Sequence, residues 1–212
     1  MKYLITAGPT HEYLDDVRFF GNASSGQFGY ALAQAALRRG HSVTLVSGPT
    51  TLKPPEGAKL IRITSVREML KAVEKEAKKA DILVMNAAVS DYRPERRVSG
   101  KMKRKDADSI TVKLVRNPDI LKTIASHRRK PVLVGFALES QSPVKHALEK
   151  LRDKSLDFNV LNLATTIGSD SAKVRLFDRW GGSTILGPAK KSKIAGQLLS
   201  KIEMRLQECC AK

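Results

Sequence analysis

Lys2-Tyr3-Leu4-Ile5-Thr6-Ala7-Gly8-Pro9-Thr10 opens the chain. After a polar stretch, Gly26-Gln27-Phe28-Gly29-Tyr30-Ala31-Leu32-Ala33-Gln34-Ala35-Ala36-Leu37-Arg38-Arg39-Gly40 runs directly into His41-Ser42-Val43-Thr44-Leu45-Val46-Ser47-Gly48. The first piece is a short apolar run closed by a Gly-Pro turn, which reads as a buried strand. The second is Ala-rich and reads as a helix, with Ser24 or Ser25 placed to cap its start and Gly40 to end it. The third is a second apolar strand. Strand, helix and strand in this succession form the unit of a parallel sheet.

The alternation continues. Residues 58–63 read as a strand, 66–79 as a helix with Met69, Leu70, Val73 and Ala77 at helical spacing, and Ile82–Met85 as a fourth strand. Beyond Lys101 the texture changes. Residues 109–115 alternate polar and apolar, as a half-exposed strand does. Asn117-Pro118-Asp119-Ile120-Leu121 starts a helix with proline near its first turn. Residues 131–137 form a buried strand, about 144–154 a helix and 158–161 a strand. Residues 173–177 and 183–186 form a hairpin through Trp180-Gly181-Gly182, and a last helix covers about 192–207. The expectation is one α/β domain over residues 1–212, with a mostly parallel sheet, helices on both faces and a C-terminal β-hairpin extension. The segment from about 91 to 106 reads as a mobile loop rather than a linker, because apolar strands resume after it.

At 212 residues the chain suits one domain and buries roughly 70% of its unfolded surface at this size. No stretch approaches the ~18 consecutive apolar residues of a membrane span, and Met1 leads straight into a strand, so no membrane segment and no signal peptide are expected. Cys209 and Cys210 are adjacent, which suits neither a disulfide framework nor a metal site, and a cytoplasmic location is expected. The net charge of +17 allows a nucleic-acid partner. However, the cations come in scattered pairs such as Arg38-Arg39, Lys78-Lys79, Arg128-Arg129 and Lys190-Lys191, mostly at helix ends, where they complement the helix dipole. Aromatics are too few for a base-stacking platform. Small anionic ligands are the better reading, with no nucleic acid.

One junction carries chemistry. The apolar run Asp81-Ile82-Leu83-Val84-Met85 leads into Asn86-Ala87-Ala88-Val89-Ser90-Asp91, and Lys101-Met102-Lys103-Arg104 begins ten positions after Asp91. An amide, a carboxylate and several cations therefore gather at the carboxyl end of a strand, where open α/β sheets bind ligands. A carboxylate able to hold a metal beside lysines suits a polyphosphate. A second junction, Asn22, Ser24, Ser25 and Gly26, precedes a helix N-terminus whose free N–H groups favour phosphate or a developing oxyanion.

The plain alternatives are a helix cap at the serines, an Asx turn at Asp91 and a solvated charge run at Lys101, Lys103 and Arg104. A dinucleotide fold is disfavoured. Gly8, Gly21, Gly26 and Gly29 lack the G-x-G-x-x-G spacing, and the second strand ends without an acid for a ribose. No tyrosine has a lysine four positions on. His11, His41, His127 and His146 are dispersed, and Cys210 has no neighbouring base.

In series, several stretches resemble the phosphopantothenate–cysteine ligase (phosphopantothenoylcysteine synthetase) family, the ligase domain of the bacterial coenzyme A biosynthesis bifunctional flavoprotein. They are Leu4 to Thr10, Asp16 to Phe19, Gly21 to Gly26, Asn86 to Tyr92, Lys101-x-Lys103, Lys113 to Leu121 and Gly135 to Ser140. The resemblance implies a Rossmann-like, doubly wound fold and a homodimer. It also implies a ligase that joins 4′-phosphopantothenate to L-cysteine through an acyl-cytidylate, using CTP as co-substrate (CTP ahead of ATP) and Mg²⁺, with no flavin. Carried over by motif, Met85, Asn86 and Ala87 lie against the base and sugar. Asp91 holds triphosphate and metal, and Lys101 sits on the phosphates. Pro118, Asp119, Ile120 and Leu121 line the nucleotide, Phe136 lies beside the base, and Lys150 and Lys154 reach the same anion. Asn22 binds the acyl part and serves the amide-forming step, with Ser24, Ser25 and Gly26 around the substrate.

The chain departs from the family pattern at Gln27, where a lysine is common, at Tyr13 and Asp16, where proline is usual, at Arg104, where a second lysine is usual, and at Asn162-Leu163, where a polar pair commonly follows the strand. The family's usual flavin-dependent decarboxylase is not in this sequence, so it is either a separately encoded partner or the chain is an excised domain. The rival reading is a basic Rossmann-like protein that binds a nucleotide or nucleic acid without ligase chemistry.

Overall fold

The structure, a computed structural model, describes residues 1–103, 109–139, 141–163 and 169–210. Strand β1 (Lys2–Ala7) is followed by a small hairpin of β2 (His11–Tyr13) and β3 (Phe19–Gly21), and then by helix α1 (Gln27–Arg38). Next come β4 (Ser42–Ser47), β5 (Lys59–Arg62), α2 (Val66–Ala77) and β6 (Ile82–Met85). A second small hairpin, β7 (Tyr92–Pro94) and β8 (Leu114–Arg116), precedes α3 (Ile120–Ala125). The chain then alternates through β9 (Val132–Glu139), α4 (Pro143–Asp153) and β10 (Phe158–Leu163). It ends with β11 (Ser171–Asp178), β12 (Ser183–Lys190) and α5 (Lys191–Cys210).

The large sheet has eight strands in the order β12-β11-β10-β9-β6-β1-β4-β5. The six neighbours β5, β4, β1, β6, β9 and β10 are parallel, and β11 and β12 add an antiparallel hairpin at one edge. After β1 the chain builds outward on one side and returns at β6 to the other. The crevice at the carboxyl ends of β1 and β6 is therefore the topological switch point of the sheet. Alternation along β1 feeds two cores. Tyr3, Ile5 and Ala7 pack with α1 and α5 on one face, while Leu4 packs with α2, α3 and α4 on the other. Leu83 is fully buried in the second core, and its truncation to alanine costs about 2–5 kcal/mol.

Local signals set the helix ends. Ser65 accepts from Glu68 N–H at 3.3 Å and Glu68 Oε2 accepts from Thr64 N–H at 2.8 Å, a close relative of the capping box that starts α2. α1 starts differently from the expected serine cap. Its N-cap is Gly26, left-handed at φ 77°, which serves without a side-chain cap. Ser24 and Ser25 bond within the preceding turn, accepting from Gly26 N–H at 3.3 Å and Gln27 N–H at 3.4 Å.

Three further differences follow from tertiary pairing. The strand expected over 109–115 is limited to β8, because its antiparallel partner β7 is only three residues long. β2 and β3 lie in a stretch expected to be irregular. The loop expected to be mobile from 91 begins with the paired strand β7, and Arg104, Lys105 and Asp106 lie outside the described residues.

Candidate functional site

At the switch point the two junctions are wired together. Ala88 N–H donates to Gly8 O at 2.9 Å and Thr10 N–H to Ala88 O at 3.3 Å. Ala87 N–H donates to Thr6 Oγ1 at 3.1 Å and Ser90 N–H to Thr10 Oγ1 at 3.0 Å. Asn22 Nδ2 crosses to Val89 O at 3.0 Å, joining the turn before α1 to the loop after β6. Gly29 permits this closeness: a Cβ there would lie 2.5 Å from Ala7 Cβ and 3.1 Å from Asn86 Oδ1.

Between these segments lies a hollow of about 190 Å³, lined by Ser24, Ser25, Gly26, Gln27, Asn86, Ala87, Phe136, Leu138, Asn162 and Lys191 among others. Phe28 and Phe136 meet edge to face at 5.5 Å and form an apolar wall suited to a flat ring or an acyl chain. The hollow combines first-turn N–H groups of α1, which lack intrahelical partners, with neutral amides and one lysine.

Lys150 reaches Phe136, and Lys154 pairs with Asp119. Lys154 Nζ lies 2.9 Å from Asp119 Oδ2, and Lys150 Nζ donates to Phe136 O. Burial works to raise the Asp119 carboxyl, but Lys154 and the Lys122 N–H outweigh it and hold the group below the ordinary carboxylate range. Asp119 also caps α3, accepting from Lys122 N–H at 3.1 Å, so Pro118 stands just before the helix. The side chains of Ile120 and Leu121 are buried in the core, and only their backbone is left to meet a ligand. Met85 is buried too, its sulfur accepting from Thr6 Oγ1 at 3.6 Å.

Asp91 is exposed just beyond β6, and its backbone carbonyl accepts from Asn117 N–H at 2.8 Å. Among the described residues no group of three or more His, Cys, Asp or Glu side chains could hold a metal. A cation at Asp91 would therefore draw its remaining oxygens from phosphate and water, the habit of Mg²⁺.

Lys101 is exposed on a loop that Leu14 to Arg18 clamp from below. Asp15, whose side chain is fully buried, accepts from Val17 N–H at 2.7 Å, Arg18 N–H at 2.6 Å, Arg18 Nη1 at 3.0 Å and Met102 N–H at 3.1 Å. Asp16 accepts from Gly100 N–H at 2.8 Å and Arg97 Nη2 at 2.8 Å. The clamp thus grips both neighbours of Lys101.

The fold brings Asn22, Ser24, Ser25, Gly26, Asn86, Ala87 and Phe136 to one hollow or its rim; Lys150 reaches its Phe136 wall, while Asp91, Lys101, Asp119 and Lys154 do not line it. Sequence reasoning missed Lys191 and the Asp15 clamp, whose partners are remote in the chain. Larger hollows exist elsewhere. One of about 510 Å³, lined by Lys2, Tyr3, His41 and Glu76 among others, lies at the amino ends of β1 and β4. Another of about 300 Å³ lies between the β11–β12 hairpin and α5. Neither lies at the carboxyl ends of the parallel strands, the position that favours a ligand in this architecture.

Comparison with known proteins agrees with the architecture. The coenzyme A biosynthesis bifunctional protein CoaBC of Vibrio parahaemolyticus is 40% identical over 206 residues, covering 94% of this chain and 51% of that protein. CoaBC of Bacillus subtilis is 39% identical over 204 residues, with 94% and 50% covered. The chain therefore spans about half the length of these relatives. The crystal structure of the C-terminal domain of CoaBC superposes with a TM-score of 0.84 at 37% identity, covering 98% of this chain and 96% of that one. A Cab2 mutant in complex with phosphopantothenate-cysteine shares the fold at a TM-score of 0.82 and 20% identity, covering 99% of this chain and 87% of that one. The fold is thus the Rossmann-like one of these neighbours. The model of the DNA/pantothenate metabolism flavoprotein C-terminal domain matches residues 1–206, and the chain belongs to that family.

Proposed function

We propose that this chain is a phosphopantothenate–cysteine ligase of coenzyme A biosynthesis. The observation that carries this reading is the hollow at the β1–β6 switch point, where the Asn22 turn is bonded to the Asn86–Asp91 loop, in a chain 37% identical to the CoaBC C-terminal domain over nearly its whole length. In the reaction, a carboxylate oxygen of 4′-phosphopantothenate attacks the α-phosphorus of CTP. The bond to the bridging oxygen breaks and pyrophosphate leaves. The amine of L-cysteine then attacks the acyl carbon, the bond to CMP breaks, and the amine gives up a proton as the amide forms.

Both steps bring anions together, so the protein's part is to position reactants and supply donors and cations. Asn86, Ala87 and Phe136 hold base and sugar, while Met85 and the start of α3 at Pro118, Asp119, Ile120 and Leu121 shape that wall. Lys150 and Lys154 add charge at its rim. Lys101 meets the departing phosphates. Asn22 has two amide hydrogens; one goes to Val89 O, leaving the other for the acyl carbonyl. Mg²⁺ held by Asp91 and phosphate oxygens would neutralise the triphosphate.

CTP is proposed over ATP, the enzyme as a cytoplasmic homodimer, and a flavin-dependent decarboxylase as its partner. Incubation of the purified protein with CTP, Mg²⁺, 4′-phosphopantothenate and cysteine tests the reading. Pyrophosphate, CMP and the cysteine adduct should form in equal amounts. No pyrophosphate would leave the rival, a nucleotide-binding protein without ligase chemistry.

A further inference from the structure

Among the described residues, the hollow at the switch point is lined by one charged side chain, and it arrives from the far end of the chain. Lys191 is the first residue of α5, and its Nζ lies 3.4 Å from Oε1 of Gln27, the first residue of α1. A neutral oxygen at that distance is a weak partner for an ammonium. The lysine is half-buried, and burial pushes its ammonium below the ordinary lysine range, with Asp170 offsetting only part of the effect. A charge withdrawn from water and so sparsely paired is costly until an anion meets it. Across from it stand the hydroxyls of Ser24 and Ser25 and the start of α1, which has no acidic residue in its first turn.

The sheet separates this cation from Lys150 and Lys154. Lys150 and Lys154 come from the α4 segment, on the face that carries α2 and α3, whereas Lys191 arrives with α5 on the face that carries α1. Two anionic groups approaching the crevice would therefore meet different lysines. We propose that Lys191 is a substrate-binding residue that takes the phosphate group of the acyl substrate, leaving the nucleotide phosphates to the cations on the other side. The proposal rests on the ligase reading and adds to it the group that selects a phosphorylated acid.

Calorimetric titration of the purified full chain with 4′-phosphopantothenate, with unphosphorylated pantothenate and with CTP–Mg²⁺, in separate experiments, tests this. Lys191→Met should weaken 4′-phosphopantothenate about tenfold or more, the usual worth of a charge-assisted hydrogen bond. It should leave pantothenate and CTP unchanged, and Lys191→Arg should retain most of the affinity. Thermal melts of both variants control for folding, and Lys191→Gln repeats the test with a polar side chain if the methionine variant melts early. Unaltered 4′-phosphopantothenate affinity in a folded Lys191→Met protein overturns the proposal. So does a loss that falls on CTP instead, which would make Lys191 a nucleotide-phosphate ligand. If the wild type forms pyrophosphate yet the substitution has no effect, this inference fails while the ligase reading stands. A wild type that neither binds 4′-phosphopantothenate nor forms pyrophosphate overturns both.

Discussion

Lys101 holds its charge on an exposed side chain, so its removal acts on chemistry rather than on folding. Lys101→Ala should slow pyrophosphate release by about 10²–10³-fold, the cost of losing one preorganised donor at a developing charge. The melting temperature should stay where it was. Near-normal pyrophosphate release in that variant would remove Lys101 from the phosphate site. Asn22 separates the two half-reactions. Its amide lies by the start of α1 and bonds the β6 loop, so Asn22→Asp, which loses both amide hydrogens and adds a negative charge, should slow CMP release far more than pyrophosphate release. Asn22→Ala controls for the charge. Equal loss of both phases in both variants, in a single-turnover assay, would reduce the motif to a turn. The gathering of the Asn22 turn and the Asn86 junction at one sheet edge was legible because each sits in a short run of consecutive residues beside a strand or helix end. Lys191 and Asp15 were not, because their partners Gln27 and Met102 lie 164 and 87 residues away. Ile120 and Leu121 were read as nucleotide-lining, and their apolar side chains serve the core.

The loop that carries Lys101 was read as mobile because Arg93, Arg96, Arg97, Lys101, Lys103, Arg104 and Lys105 should repel one another. The fold answers part of that repulsion with carboxylates. Arg97 pairs with Asp16 at 2.8 Å and Lys113 with Glu95 at 2.6 Å, while Asp15 and Asp16 accept the backbone N–H groups on either side of Lys101. Both aspartates are held below the ordinary carboxylate range, Asp15 chiefly by the Arg18 backbone N–H and Asp16 chiefly by the Arg97 guanidinium. A carboxyl whose folded pKa is depressed stabilises above its unfolded value of about 3.9 and loses that contribution as pH falls through the folded value. The clamp should therefore hold throughout neutral pH and release only in acid. The groups facing it are Arg18 and Arg97 and the other aspartate. Asp16→Asn at pH 7 should raise hydrogen exchange at Gly100 and Met102 and raise the KM for nucleotide, and CTP–Mg²⁺ should restore part of the protection. Exchange unchanged by the substitution would show that the clamp does not position the loop. At this scale the long strands and helices were legible from their periodicity. The arms of β2, β3, β7 and β8 were not, because three residues are too few to show a period and their pairing is decided by each other.

Across the whole molecule, alternating apolar strands and helices were sufficient to foresee a mostly parallel sheet with helices on both faces, because both faces of such a sheet must be covered. The surface left over was less legible. Among the described residues, Val17, Phe20, Tyr92 and Leu114 are exposed apolar side chains on or beside the two small hairpins, which meet where β2 packs against β7. A monomer of high net charge has no need of an apolar group there, and such patches mark interaction sites. A twofold pairing through the hairpins would cover them and would place the Lys101 clamp, which hangs from the same Leu14–Arg18 segment, near the interface. The wild type should then sediment at twice the chain mass of 23.3 kDa at micromolar concentration. Phe20→Asp combined with Leu114→Asp should give a monomer with unchanged far-ultraviolet dichroism, because neither side chain belongs to the buried cores. Like charges brought together at a closing interface should cost more than the apolar contact they replace. The monomer should also show faster hydrogen exchange at Gly100 and Met102 if the interface steadies the clamp. A wild type that sediments as a monomer at these concentrations would exclude the homodimer. A double variant that remains dimeric would move the interface away from the hairpins.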